Sequence, residues 1–253
     1  MQVDLINSAL RRVDTEEVLL KNVNEVVVIG DPGCTKFDDH SKRILGEIFA
    51  NRADVYIILG DMALRGEDTE LREFVSFCNT SAGAPVFTLC GNHDLPGYST
   101  IFGRSTYALI TDTYLFVLID NVTDWDHFNR KDLEFLEKKF YQYPDKKFII
   151  LFHIPPPTDL APKSMKDVKW LELKTVLDAH KDNIVCLMCG HIHGFRDHLV
   201  DGYRVFITGG GGAKLKNLEK DTIKAHHAVR LSFSKNTAVK FSVFTVGRQG
   251  RSA

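Results

Sequence analysis

Short apolar runs recur along the chain, and each has the length and composition of a β-strand. Five of them are bounded by Gly, Asp or His, namely Val26–Ile29, Val55–Leu59, Val86–Cys90, Phe148–Phe152 and Ile184–Met188. Because consecutive positions are apolar, we expect these strands to be buried on both faces. The later runs Tyr114–Asp120, Tyr203–Thr208, Ala228–Phe233 and Ala238–Val246 predict further strands, with a hairpin turn at residues 234–237.

Helical periodicity separates several of these strands. Four apolar stripes with spacings of three and four residues predict helices packed on a sheet, around Ile44, Leu71, Leu133 and Trp170. Asn129 precedes the third stripe and suits a helix N-cap. Residues 1–24 fit neither period, and we interpret them as a helix packed on the edge of the domain. Alternating strands and helices predict an α/β fold with parallel strands, to which the later strands add antiparallel pairs.

Composition indicates one soluble globular domain over residues 1–253, with 1–24 as a possible N-terminal appendage. Hydrophobic residues make up 44% of the chain and charged residues 26%. The net charge of -1 gives no strong signal for binding nucleic acid or a membrane surface. No apolar run approaches the roughly 20 residues of a membrane helix. The five cysteines lack a disulfide-framework spacing and no secretory signal is visible, so we expect a cytoplasmic setting.

Polar clusters follow five of the predicted strands directly or within two residues. They are Gly30-Asp31-Pro32-Gly33, Gly60-Asp61, Gly91-Asn92-His93-Asp94, His153 and Gly190-His191-Ile192-His193. A Gly-Asp pair alone is commonly a turn, and a lone histidine is commonly a core residue. The carboxyl ends of parallel strands, however, converge on one crevice. Carboxylate, amide and imidazole groups together suit Mn, Fe, Zn, Co or Ni. The five clusters in this order therefore predict a divalent-metal site.

These five blocks resemble those of the calcineurin-like metallophosphoesterase superfamily, in the same order, from Asp31 to His193. The Gly209–Gly212 run resembles the glycine-rich strand exit of that family. The resemblance implies a four-layer αββα sandwich, in which two mixed sheets face each other with helices outside.

The same resemblance implies a site with two divalent metal ions. One ion would be held by Asp31, Asp61 and His193, and the other by Asp61, Asn92, His153 and His191. Asp61 would bridge the two ions. His93 would be the catalytic histidine near the leaving group, and Asp94 would orient it.

One position departs from the pattern of the family. Most members have a histidine ligand in the first block where this chain has Gly33. The Gly-Asp-x-Gly form resembles purple acid phosphatases, which supply a tyrosine three residues past the bridging Asp, but that position is Leu64 here. The first site is thus one protein ligand short. Water, the Cys34 thiolate or a residue of the segment 37–40 could fill the gap, although an Asp in that segment also suits a helix N-cap.

The expected function is metal-dependent hydrolysis of a phosphomonoester or phosphodiester by a metal-activated hydroxide. The substrate would be a phosphate ester of a small molecule or a protein. The alternative is a binding or scaffold protein on the same fold with an impaired first metal site, motivated by Gly33 and Leu64. A nuclease is a third hypothesis, against which the low net charge and the lack of an aromatic–basic stripe argue.

Overall fold

Strands and helices alternate through most of the chain, as the apolar periodicity predicts. The computed structural model describes residues 8–33, 37–158, 164–216, 223–234 and 237–247. The strands are β1 (Glu17–Leu19), β2 (Glu25–Ile29), β3 (Val55–Ile58), β4 (Val86–Thr88), β5 (Tyr107–Ile110), β6 (Tyr114–Leu118), β7 (Lys147–Phe152), β8 (Ile184–Cys189), β9 (Phe195–Val200), β10 (Tyr203–Thr208), β11 (His226–Ser234) and β12 (Thr237–Val246). The α-helices are α1 (Asp39–Ala50), α2 (Asp68–Ser81), α3 (Tyr98–Phe102), α4 (Arg130–Gln142) and α5 (Asp167–Asp178).

The strands form two mixed sheets. One has seven strands in the order β1-β5-β6-β7-β8-β10-β9, and the other has five in the order β12-β11-β2-β3-β4. Strands β6, β7, β8 and β10 run parallel in the larger sheet, as do β2, β3 and β4 in the smaller one. The polar clusters follow the carboxyl ends of strands in these two parallel blocks.

The two sheets pack face to face, and helices cover their outer faces. Along β2, Val26 and Val28 belong to an apolar cluster shared by both sheets, whereas Val27 and Ile29 pack with helical side chains. The sheets touch through Phe206 of β10 and Phe241 of β12, whose ring centroids lie 4.8 Å apart. Burial on both faces explains why the central strands are continuous apolar runs. The molecule is therefore an α/β sandwich of two mixed sheets with outer helices, as the resemblance implies.

Side-chain caps fix the starts of two helices that the sequence predicts. Asp38 accepts a hydrogen bond from Ser41 N at 3.1 Å at the start of α1. Asn129 accepts one from Lys131 N at 3.0 Å at the start of α4, which confirms the predicted cap. Each cap satisfies a backbone donor that has no partner within the helix.

The helix expected within residues 1–24 is wrong for the part of that segment that the structure describes. Residues 8–24 contain no helix: Leu10 bridges Val86, and β1 extends the larger sheet by pairing with β5. Leu10 and Val13 are buried, so the core receives side chains from this segment. The apolar positions of this segment are too few and too widely spaced to show the period of a strand. Its contribution to the core could therefore not be predicted from the sequence.

Strands β5 and β9 and the short helix α3 were also absent from the sequence prediction. Strand β9 lies at a sheet edge and alternates half-buried with exposed positions, so it has no continuous apolar run. The predicted hairpin of β11 and β12 is present, with Ser234 paired to Thr237. Its turn residues Lys235 and Asn236 lie outside the described residues.

Within the described part of the chain, none of the helices combines the length and the apolarity needed to cross a membrane. The described cysteines, Cys78, Cys90, Cys186 and Cys189, are buried free thiols.

Candidate metal centre

Both sheets contribute strand ends to one cluster of polar side chains. Asp31, Asp61 and Asn92 follow β2, β3 and β4 of the smaller sheet. His153 and His191 follow β7 and β8 of the larger sheet. The cluster therefore lies where the carboxyl ends of two parallel blocks meet, one from each sheet.

Three residues of the cluster have left-handed backbone conformations. The φ angles are 56° at Asp31, 57° at Asp61 and 66° at His191. This region is uncommon for residues other than glycine and concentrates at functional sites. The conformation turns the chain sharply at the end of each strand, where these side chains join the polar cluster.

Glycines beside these residues leave no room for a side chain. A Cβ at Gly190 would lie 2.6 Å from Asp31 Oδ2, and one at Gly209 would lie 2.9 Å from the same oxygen. A Cβ at Gly60 would lie 2.9 Å from His153 Nδ1. The glycines of the sequence motifs thus allow backbone to close around the carboxylate and the imidazole.

One group of ligand atoms surrounds the end of β7. His153 Nε2 lies 3.3 Å from Asp61 Oδ1, 3.0 Å from Asn92 Oδ1 and 3.2 Å from His191 Nδ1. One ligand atom from each of Asp61, His153 and His191 falls within 4.8 Å of the others. Convergent carboxylate, amide oxygen and imidazole nitrogens are suitable ligands for a transition-metal ion.

A second group shares Asp61 with the first. Ligand atoms of Asp31, Asp61 and His193 lie within 4.8 Å of one another, and all three residues are buried. His193 Nε2 is 3.7 Å from Asp31 Oδ1. Asp61 therefore belongs to both groups, and it is the residue for which the resemblance predicts a bridging role.

Backbone carbonyls fix the histidine rings of both groups. His153 Nδ1 lies 2.7 Å from Leu59 O, and His193 Nδ1 lies 2.9 Å from Lys214 O. A carbonyl only accepts hydrogen bonds, so each Nδ1 carries a proton and donates it. In the neutral ring, the lone pair then lies on Nε2, which is the tautomer that a metal-binding histidine needs. These carbonyl partners could not be identified from side-chain patterns.

His93 lies at the rim of the cluster, half-buried, with its Nδ1 2.8 Å from Leu64 O. Its backbone N–H donates to Asp61 Oδ1 at 3.0 Å. The expectation that Asp94 orients this ring is wrong. Asp94 is buried and accepts from four backbone N–H groups, those of Asp61, Met62, Ala63 and Gly91, at 2.7–3.1 Å. Asp94 therefore shapes the loop that carries Asp61, and a carbonyl orients His93.

Burial and mutual charge shift the acidities within the cluster. Burial, followed by the neighbouring Asp61 carboxylate, raises the pKa of Asp31 well above its ordinary value. Burial lowers the pKa of His153, but the Asp61 and Asp31 carboxylates outweigh it and raise that pKa to about 9. Burying two carboxylates this close together is costly without positive charge between them. The donor set and its charge therefore fit divalent metal ions.

The position of the missing first-block ligand is closed to any side chain. A Cβ on Gly33 would lie 2.7 Å from the carbonyl carbon of Met62 and closer still to its oxygen. Of the residues that could replace that ligand, Asp38 caps α1, and His40 Nε2 lies 3.1 Å from His226 Nε2. Cys34 lies outside the described residues.

The sequence profile of the calcineurin-like phosphoesterases matches residues 25–195. This chain belongs to that family. No curated protein sequence matches it. The similar solved structures include a purple acid phosphatase from yellow lupin (Lupinus luteus) seeds, with a TM-score of 0.71 and 16% identity over 89% of this chain. The match covers 52% of the lupin protein, so this chain spans about half its length.

Two further structures share the fold at greater coverage of their own length. A dimetal phosphatase from Danio rerio has a TM-score of 0.65 and 13% identity, over 88% of this chain and 99% of that one. GAP50, the anchor in the inner membrane complex of Plasmodium, has a TM-score of 0.65 and 12% identity, over 88% of this chain and 84% of that one. At such identities the similarity establishes the fold alone.

Proposed function

We propose that this chain is a metal-dependent hydrolase of phosphomonoesters or phosphodiesters with a two-metal centre. The observation that carries the proposal is the pair of buried ligand groups that share Asp61. One ion would be held by Asp31, Asp61 and His193, and the other by Asp61, Asn92, His153 and His191. When bound, two such ions supply Lewis acidity, which lowers the pKa of a bound water and offsets charge on the phosphate oxygens.

The residues of the chain would contribute positioning and proton transfer. Asp94 holds the loop that carries Asp61, and the Leu59 and Lys214 carbonyls keep two imidazoles in the metal-binding tautomer. His93 donates its Nδ1 proton to Leu64 O, so Nε2 is the nitrogen that can reach a substrate. A protonated His93 could donate from Nε2 to the departing alkoxide, as a general acid does.

The first test combines metal content with turnover. Protein purified without chelator would be subjected to elemental analysis, and hydrolysis of aryl phosphate monoesters and diesters would be followed under added Mn(II). We expect close to two metal ions per chain together with turnover of at least one ester class. One ion or none, with no turnover at high Mn(II), would contradict the proposal.

A His93 variant tests the assignment of the general acid. We expect His93→Ala to keep its metal content and lose about 10²- to 10⁴-fold in kcat, the usual contribution of general acid–base catalysis. His127→Ala is the matched control, because His127 is exposed and contacts Glu172 instead of the cluster. Equal turnover in the two variants would remove His93 from the mechanism.

A second candidate function is a binding or scaffold protein with an impaired first metal site. Two observations favour it: Gly33 and its surroundings leave no room for the usual first-block ligand, and the anchor protein GAP50 shares the fold. The metal titration separates the candidates, since this alternative predicts an incomplete centre without turnover. The cytoplasmic setting remains a proposal for cell fractionation to test.

A further inference from the structure

Asn121 lies where the chain leaves β6, beside the strand that carries His153. Strands β6 and β7 are parallel, and their paired positions end at Leu118 and Leu151. A last ladder bond runs from Ile119 N to Leu151 O at 2.9 Å. Beyond this point the two segments separate, and a side chain must satisfy the buried backbone groups of the residues that follow β7. Asn121, which is 2% exposed, does so.

The side-chain amide of Asn121 uses both of its ends on the exit of β7. Its Oδ1 accepts from His153 N at 3.0 Å and from Ile154 N at 3.1 Å. Its Nδ2 donates to Ile154 O at 2.8 Å. The two backbone donors and one backbone acceptor at the exit of β7 define which end of the amide is oxygen and which is nitrogen. Aspartate or leucine could not make the same set of bonds.

These bonds complete the fixation of His153. Its carbonyl accepts from Gly190 N at 3.1 Å, and its ring donates to Leu59 O at 2.7 Å. With the amide nitrogen held by Asn121, the residue is held at its N–H, its C=O and its ring. The remaining atom, Nε2, faces Asp61 at 3.3 Å. An imidazole held in this way is pre-organised for an ion that it shares with Asp61.

A buried lysine holds Asn121 in turn. Lys169 of α5 is 1% exposed, and its Nζ donates to Asn121 O at 2.9 Å and also to Asp124 O. The ammonium group also lies 5.2 Å from the ring centroid of Phe128. The exit of β6 is thus fixed from the helix layer, so that Asn121 presents a rigid amide to β7.

We infer that Asn121 is a positioning residue for the metal centre, acting by fixing the backbone and thereby the ring of His153. This inference rests on the proposed function, because it concerns one of the two groups of metal ligands. Asn121 contacts neither Asp61 nor His191 in the hydrogen bonds described, so its effect is exerted through His153. The loss of a partner that orients a metal-binding side chain typically lowers metal affinity by about 10- to 100-fold, and we expect an effect at the lower end of that range here.

The test compares Asn121→Ala and Asn121→Asp with the wild-type chain by calorimetric titration with Mn(II) and Zn(II). One ion should no longer bind in His153→Gln. We expect Asn121→Ala to lower the affinity for that same ion by at least about tenfold. The ion lost in His193→Gln should keep its affinity within about threefold. Asn121→Asp keeps an acceptor for the two N–H groups, so we expect an intermediate loss. It also serves as the measured variant if Asn121→Ala fails to fold.

Tyr203→Phe is the control for a purely structural effect. It removes the 2.6 Å hydrogen bond from Tyr203 Oη to Asp178, at the opposite end of β10 from the cluster. We expect it to lower stability without changing either metal affinity. If the Asn121 variants lose only stability, as Tyr203→Phe should, and keep both metal affinities, Asn121 is not a positioning residue.

A readout without metal separates this inference from the proposed function. The Nδ1 proton of His153, assigned by its absence in His153→Gln, should exchange slowly with water in the wild type because it is buried and bound to Leu59 O. We expect faster exchange in Asn121→Ala at equal global stability. If the wild type binds no divalent ion, the proposed function fails, and this proton alone decides whether Asn121 positions the ring. Unchanged exchange would refute the inference.

Discussion

Gly33 offers a direct test of why the ligand group of Asp31, Asp61 and His193 lacks the usual first-block residue. Its N–H donates to Asp61 O at 2.8 Å, which ties the first motif to the second. A Cβ here would lie 2.7 Å from the carbonyl carbon of Met62, whereas carbon atoms in good contact are about 3.5–4.0 Å apart. Gly33→Ala therefore requires the two segments to separate by about 1 Å.

The opposing backbone cannot move aside easily. The N–H groups of Met62 and Ala63 both donate to Asp94 Oδ1, at 2.7 and 3.1 Å, and both residues are buried. Overpacking costs about 1–3 kcal/mol, and the hydrogen bond from Gly33 to Asp61 adds about 1 kcal/mol if it breaks. We expect Gly33→Ala to lower the free energy of unfolding by about 2–4 kcal/mol, a large part of the roughly 5–15 kcal/mol of a typical domain.

Urea denaturation of matched glycine variants measures this cost. At Gly83, an added Cβ would meet nothing within 4 Å, so Gly83→Ala should change stability little or raise it by up to about 1 kcal/mol. Gly46 lies inside α1, where an added Cβ would make an ordinary contact with the Phe77 ring at 3.8 Å, and Gly46→Ala should likewise stabilise. Equal stability of Gly33→Ala and Gly83→Ala would refute the steric reasoning.

Gly33→His extends the same test to function. If sterics alone exclude the usual ligand, this variant should be at least as unstable as Gly33→Ala and should bind no additional metal. A stable Gly33→His protein with tighter metal binding would show that the first-block histidine can simply be restored. The short ligand set would then reflect the residue at position 33 and not the geometry around it.

Three further predictions concern stability. Burial lowers the pKa of His227 to about 4, so the unfolded chain binds a proton at a higher pH than the folded chain does. Up to about 3 kcal/mol of stability present above pH ~6.5 should be lost as the pH falls towards 4. Urea titration of His227→Phe should lack this dependence on pH. The hydrogen bond to Glu172 raises the pKa of His127. The stability that this bond contributes is present below pH ~6.5 and is lost as the pH rises through the folded-state pKa. His127→Gln should therefore remove a fall in stability with rising pH, whereas His227→Phe removes a rise. The buried Lys139 ammonium pairs with the partly exposed Glu17; Lys139→Met should cost about 1–3 kcal/mol in thermal unfolding, against under ~1 kcal/mol for the exposed Lys138→Met.

The sequence determined the residues of the candidate centre and most of the sheet. Strands buried on both faces are continuous apolar runs, and such runs are visible without knowledge of the fold. The polar clusters stood out because Asp31, Asp61 and His191 directly follow such runs, each behind a glycine. The N-caps Asp38 and Asn129 were also predictable, since a cap is a local interaction between a side chain and the next turn of backbone.

Tertiary structure alone decided which groups meet. The ligand groups come from two different sheets, and apolar runs do not reveal how strands divide between sheets. The role of Asp94 was wrongly assigned because its partners are backbone N–H groups. Almost every residue has such a group, so the residue types do not indicate which ones will bind. For the same reason the carbonyls that orient His93 and His153 were invisible in the sequence. Side-chain chemistry is written in the sequence, whereas the backbone contacts that aim it exist only once distant segments have packed together.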